Sequence, residues 1–252
     1  MIAPRRIQQQ PAYILHHRPF RDTSLILDIV TRDHGKIALV ARGSRSAKSR
    51  LAGVLRPFLP LRISWVARGD LGTLTGAEAA GPPTGIQGDA VLAAFYVNEL
   101  LLHFLHRHDA QPEIFALYAE VISSLGSSQD MARCLRAFEL EFMSLLGYAL
   151  SFQPESAKGT DLDPEQNYEY RIEQGPVPVG RADGPMVFTG RVLQSIRARE
   201  LDDPEILRAA NRLLRQVINY HLGGKELKSR KVLMELHRSR IAAPEQRTTD
   251  SD

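Results

Sequence analysis

The sequence predicts an α+β protein in which a five-stranded OB-type β-barrel is followed by an α-helical domain. Three observations lead to this. Residues 12–79 are short β-branched runs broken by turn residues, and residues beyond about 90 place apolar side chains at helical spacing. Between them, Gly81-Pro82-Pro83-Thr84-Gly85 reads as a linker. The chain has 252 residues, 43% of them apolar, which is enough for a real core and excludes general disorder or a fibre. These patterns divide the chain into a barrel (1–80), a linker (81–85), a helical domain (86–240) and a disordered tail (241–252).

Taken in order, the strands are Ala12 to His16, Ser24 to Thr31, Lys36 to Ala41, Leu59 to Ala67 and Leu71 to Ala77. Arg32-Asp33-His34-Gly35 and Arg68-Gly69-Asp70 are the tight turns of two hairpins. Five strands in about 70 residues fit a Greek-key barrel of the OB type, and the pattern also admits an SH3-like barrel. Helices are predicted from Ala90 to His108, from Pro112 to Leu125, and from Asp130 as N-cap to Leu146 with Gly147 as its stop. Residues 151–185, rich in Pro, Gly and acid, read as an irregular acidic insertion. A helix from Asp203 to His221 and a short one from Ser229 to about Arg238 complete the pattern.

The formal charge of +3 conceals a partition. Net charge is +8 over residues 1–80, −9 over 81–189, +6 over 190–240 and −2 over the tail. A basic first block beside an acidic middle points to a polyanion partner, with a solvated basic surface as the alternative. The loop after the third strand, Arg42 to Arg50, holds Arg42, Arg45, Lys48 and Arg50 among serines and no acid. Such a loop suits phosphates, which ask for charge and donors rather than base-reading geometry. Arg18, Arg21, Arg32 and Lys36 extend that surface, and Tyr13, Phe20 or Trp65 would offer a stacking plane unless they build the core. A second basic cluster, Lys225, Lys228, Arg230 and Lys231, either complements the dipole of the preceding helix or contacts nucleic acid again.

Other chemistries find no support. A Walker-type loop is missing, so ATP use is not expected, and no Gly-x-Ser-x-Gly elbow nominates a nucleophile. Glu99, His103 and His106 share one helical face, but no partner pair completes a metal site, and no cofactor is expected. Cys134 is alone and reads as a small buried side chain in a reducing cytoplasm. The start lacks an apolar signal segment, and the stretch from Ala90 to Leu105 falls short of the roughly 20 residues of a membrane span.

Several short motifs, in order, carry a resemblance. They are Ala12-Tyr13-Ile14-Leu15-His16, Arg18-Pro19-Phe20-Arg21-Asp22-Thr23-Ser24-Leu25, Thr31-Arg32-Asp33-His34-Gly35-Lys36 and Ala41-Arg42-Gly43. Leu146-Gly147-Tyr148-Ala149-Leu150 and Leu222-Gly223-Gly224-Lys225-Glu226-Leu227-Lys228-Ser229-Arg230 follow. Together they resemble the RecO family of bacterial DNA repair proteins over about residues 10–240. The resemblance implies a recombination mediator, not an enzyme, that works without ATP in the cytoplasm at the nucleoid. It would bind single- and double-stranded DNA, anneal complementary strands, engage the acidic C-terminal tail of the single-stranded DNA-binding protein SSB and, with RecR, help RecA load. A nucleic-acid- or protein-binding scaffold without annealing activity is the alternative.

Carried onto this chain, the resemblance makes Arg21, Arg32, Lys36, Arg42, Arg45, Lys48 and Arg50 DNA-contact candidates. For the SSB tail, an apolar pocket with a cation at its mouth is expected at Arg133, Leu135, Arg136, Phe138 and Phe142, unless the same apolar residues build the domain core. Many relatives carry a four-Cys zinc module after the Leu-Gly-Tyr motif. Residues 151–185 contain no Cys, which places the chain with the zinc-free members.

Overall fold

The computed structural model describes residues 5–46, 49–67, 69–127, 130–153 and 161–232. Five strands, β1 (Arg5–Phe20), β2 (Ser24–Thr31), β3 (Gly35–Ala41), β4 (Leu61–Ala67) and β5 (Leu71–Ala79), close a barrel in the order β1-β2-β3-β5-β4. All neighbours are antiparallel except β3 and β5, which run parallel. This is the five-stranded Greek-key arrangement of OB folds. β1 is much longer than its sequence pattern suggests, because Arg5 to Gln10, polar throughout except for Ile7, pair with β4 while Ala12 to Phe20 pair with β2. Closure requires β3 and β5 to approach closely at Gly72, where a Cβ would stand 2.7 Å from Leu39 Cδ2. The interior is apolar, filled by Ile14, Leu27, Ile29, Leu39 and Ile63, with Trp65 only 3% exposed.

A bulge in β1 sets the orientation of everything outside the barrel. Ile14 pairs with Ile29 and His16 with Asp28, so Leu15 is the extra residue and the inward-outward alternation shifts by one. Tyr13 and Leu15 then face outward, join Val30, and merge with the helical core rather than the barrel core. The Leu15 carbonyl accepts from Asn98 Nδ2 at 2.8 Å, while Asn98 Oδ1 accepts from the Tyr118 hydroxyl at 2.7 Å. Both side chains are buried, so one amide links the bulge to two helices.

The helical half contains α1 (Asp89–Phe104), α2 (Pro112–Ser127), α3 (Met131–Leu145), α4 (Gly190–Ala198) and α5 (Pro204–His221). Asp130 caps α3 by accepting from the Arg133 N–H, and Asp203 caps α5 by accepting from Glu205 N–H with Pro204 in the first turn. The first helix stops at Phe104, before the predicted His108, because Leu105 turns extended. Residues 228–232 start a further helical turn, and the rest of that predicted helix and the tail lie outside the described residues.

The predicted irregular insertion is ordered where described. Strands β6 (Asn167–Arg171), β7 (Gly175–Pro178) and β8 (Val187–Thr189) form an antiparallel sheet in the order β7-β6-β8, and α4, unread in the sequence, follows. Tyr168, Tyr170 and Phe188 bury that sheet against the helical core, so aromatic packing fixes the Cys-free segment. Burial pushes the Tyr170 hydroxyl up to about 12.

Candidate nucleic-acid interface

Cross-strand registers lay out the outer face of the barrel in rows. Tyr13, Val30 and Lys36 form the first, already covered by the helical half. His16, Asp28, Ala38 and Leu71 make the second, and Arg18, Ile26, Val40 and Thr73 the third. Phe20 and Ser24 then lead to the open end, where the β1–β2 turn and the loop after β3 meet. The Arg45 N–H donates to the Thr23 carbonyl at 2.9 Å, which brings Arg45 beside the turn that carries Arg21. Arg18, Arg21, Arg42, Arg45 and Arg50 are all exposed, and none forms an ion pair among the described residues. Arg21 lies over the Phe20 ring at 5.2 Å, a cation on an aromatic face at the edge of this surface.

The remaining barrel cations do not join that end. Arg32 sits at the opposite tip, bound by two hydrogen bonds to Asp33, which raises its own pKa and lowers that of the carboxylate. Lys36 Nζ donates to the Leu102 carbonyl at 2.6 Å, so its charge is tied to the end of α1. Burial foremost, with Arg107 and Lys225 nearby, holds the Lys36 ammonium below its ordinary value, against the pull of Asp28. Lys48 lies outside the described residues. The serines expected to donate to phosphate are engaged locally: Ser44 and Ser46 hydroxyls donate to the Ala41 and Gly43 carbonyls, and Ser49 Oγ accepts from Leu51 N–H. Of the three aromatics, Tyr13 packs under Phe115 and Tyr118 and Trp65 is inside the barrel, which leaves Phe20 at the surface.

One cation of this face comes from the other half of the chain. Arg107, in the loop between α1 and α2, reaches Asp28 at 3.9 Å and the Asp70 carbonyl at 3.5 Å, so it lies across the second row. That loop is seated by Gly35, whose φ of +64° turns the β2–β3 hairpin and whose missing Cβ leaves room for the Asp109 backbone. His108 N–H donates to the Lys36 carbonyl at 3.0 Å. The resulting surface runs from the arginine-bearing end, past Arg107, toward Lys36 and Lys225. Its donors are spread along a sheet face, which suits a flexible polyanion followed along its backbone.

A family model described as the recombination protein O N-terminal domain matches residues 6–83, and one described as its C-terminal domain matches residues 87–231. The chain belongs to the RecO family. Among curated relatives named "DNA repair protein RecO", it is 42% identical to that of Nitrosococcus oceani over 92% of this chain and 95% of the relative. It is 41% identical to that of Methylococcus capsulatus over 91% and 94%, and 40% identical to that of Dechloromonas aromatica over 92% and 97%. RecO-family membership fits a DNA repair role, and among the described residues no helix is long and apolar enough to cross a membrane.

Other expected sites of this RecO-family chain are divided by the packing. In the late basic cluster, Lys225, Lys228 and Lys231 are exposed, but Arg230 is turned inward to Tyr96 OH at 2.9 Å and Asn219 Oδ1 at 2.7 Å. Glu99 accepts from Lys228 N–H, Ser229 N–H and the Ser229 hydroxyl, and so caps the turn at residue 228. Among the described residues, no group of three or more His, Cys, Asp and Glu is placed to hold a metal.

Of the five residues expected at a peptide pocket, Phe142 is fully buried and Leu135 packs on the core. Arg136 is ion-paired with buried Glu139, which also accepts from Tyr96 OH. Arg133 and Phe138 do line a cavity of about 750 Å³ between α2 and α3, together with Leu117, Cys134, Leu145 and Arg199. Arg133 pairs at its mouth with the exposed Asp202, and Arg199 with Glu141. Neither Arg107 nor Arg199 was signalled locally in the sequence, since each reaches its site only through the tertiary fold.

Proposed function

We propose that this chain is a recombination mediator that binds DNA through the barrel face, anneals complementary strands without ATP, and helps RecA load onto SSB-coated DNA together with RecR. It does so in the cytoplasm, at the nucleoid. The observation that supports this most is the open end of the barrel, where Arg21, Arg42 and Arg45 are exposed, adjoining and free of ion pairs among the described residues. Annealing brings two polyanions together, so an accelerating protein must lower their repulsion and leave base edges free to pair. A face that offers guanidinium groups and few base-reading side chains meets both demands.

The α2–α3 cavity supports a place for the acidic tail of SSB. An apolar floor at Leu117, Phe138 and Leu145 suits an apolar end residue, and Arg133 and Arg199 would exchange their carboxylate partners for those of the peptide. The deciding experiment is annealing of complementary oligonucleotides coated with SSB. Acceleration without ATP is expected, and a protein that binds both strands yet leaves their pairing rate unchanged would overturn the mediator reading.

A further inference from the structure

An aromatic cluster joins the end of α3 to the end of α5. Tyr148 follows Gly147, the left-handed stop of α3 at φ +82°, and its N–H closes back on the Met143 carbonyl at 2.8 Å. That closure stacks Tyr148 on His221 with ring centroids 4.1 Å apart, and Tyr220 meets the other ring of the pair edge-on at 5.2 Å. Tyr148 and Tyr220 remain 44% and 53% exposed, two of the few large apolar side chains so open among the described residues. Scattered surface aromatics need no explanation, but three adjoining rings, two of them exposed, do.

The surroundings select the occupant. Phe104 lies 6.4 Å from Tyr148, and its neighbours in α1 are His103 and Leu102, the residue whose carbonyl receives Lys36. Lys225 follows His221 by four residues across Gly223-Gly224 and is exposed. Lys225 and Lys36 also both bear on His103, whose pKa is lowered by burial first and then, against the pull of Glu99, by these charges. Helix α1 and residues 221–225 thus connect the rings to the cations that continue from the barrel face. Cations beside exposed ring faces are the pairing that single-stranded nucleic acid exploits, because every base has a face to stack.

We propose that Tyr148, His221 and Tyr220 form a stacking platform for unpaired bases, placed where a single strand leaves the barrel face past Lys36 and Lys225. This rests on the nucleic-acid reading of the barrel. It adds that the strand is gripped there by its bases and not only by its phosphates, so that single strands are distinguished from duplex, whose bases are already stacked.

The test compares a single-stranded oligonucleotide carrying 2-aminopurine with an abasic strand of equal length, at one salt concentration. Wild type is expected to quench the 2-aminopurine and to bind the base-bearing strand more tightly. Tyr148→Ala with Tyr220→Ala should weaken binding of that strand roughly 5- to 100-fold and lose the quenching. Abasic and duplex affinities should stay as they are, and Tyr148→Phe with Tyr220→Phe should behave as wild type. Equal wild-type affinity for both strands, or quenching retained in the alanine variant, would overturn the platform. If Tyr148→Ala does not fold, Tyr220→Ala alone decides, since that ring is the more exposed. Failure of the barrel reading is seen separately, as an unchanged salt dependence when the barrel arginines are removed.

Discussion

Replacing Arg42, Arg45 and Arg50 together by Ala removes three exposed guanidinium groups that have no carboxylate partner among the described residues. Folding should tolerate this, because none of them lies in either apolar core. If each neutralises one phosphate, the slope of log K against log salt for a single strand should flatten by about 2, at about 0.7 per contact. Between 50 and 200 mM salt, that is a loss roughly 15- to 20-fold smaller than in wild type. Fluorescence anisotropy of a labelled oligonucleotide at four or five salt concentrations measures it. Arg32→Ala serves as the comparison, because its guanidinium is held by Asp33, and it should change the slope little. A folded triple variant with the wild-type slope would remove this end of the barrel from the interface.

Four more outcomes are expected. Arg133→Glu should lower affinity for an acidic peptide ending in an apolar residue at least tenfold by anisotropy while leaving DNA binding intact; wild-type peptide affinity would eliminate the α2–α3 cavity. Asn98→Leu strands the Leu15 carbonyl and the Tyr118 hydroxyl in a buried site, so urea unfolding should show a loss of roughly 2–4 kcal/mol. Gly35→Ala forces a Cβ to within 2.0 Å of the Asp109 carbonyl oxygen at a left-handed φ, and should cost at least about 2 kcal/mol in the same measurement. Burial, and then Arg5, hold His34 below its ordinary 6.5, so the unfolded chain takes up its proton first on acidification. Stability should therefore fall as pH drops below about 6.5, and His34→Gln should reduce that slope; an unaltered slope would assign the effect elsewhere.

Much of the barrel is legible in the sequence because its strands are short alternating runs closed by Arg-Asp-His-Gly and Arg-Gly-Asp turns. Residues 5–10 are not, since Gln8, Gln9 and Gln10 carry no strand signal and join the barrel by pairing with β4. The small sheet of residues 167–189 escapes for a related reason. Its strands are three to five residues long, β7 carries two prolines, and Tyr168, Tyr170 and Phe188 stabilise the sheet by docking on helices distant in sequence. Helices with a clear N-cap, such as α3 and α5, are located to within a residue or two.

For the candidate site, charge density in the loop after β3 is visible in the sequence, whereas the pairing state of each cation is not. Asp33 captures Arg32 from the next position, but Leu102 receives Lys36 and Tyr96 receives Arg230 across more than sixty residues. Local composition thus nominates a basic surface, and only packing decides which members of it are available. The same applies to Phe138 and Phe142, adjacent on one helix face, of which one borders a cavity and the other is sealed.

The β1 bulge also ties the fate of one half to the other. Severing the chain in the segment after β5 would leave an amino-terminal piece with all five strands and its own interior, yet with Tyr13, Leu15 and Val30 stripped of cover and a carbonyl without its amide. Such a fragment would present an adhesive apolar face to its own copies, a cost that any design splitting the two halves has to meet.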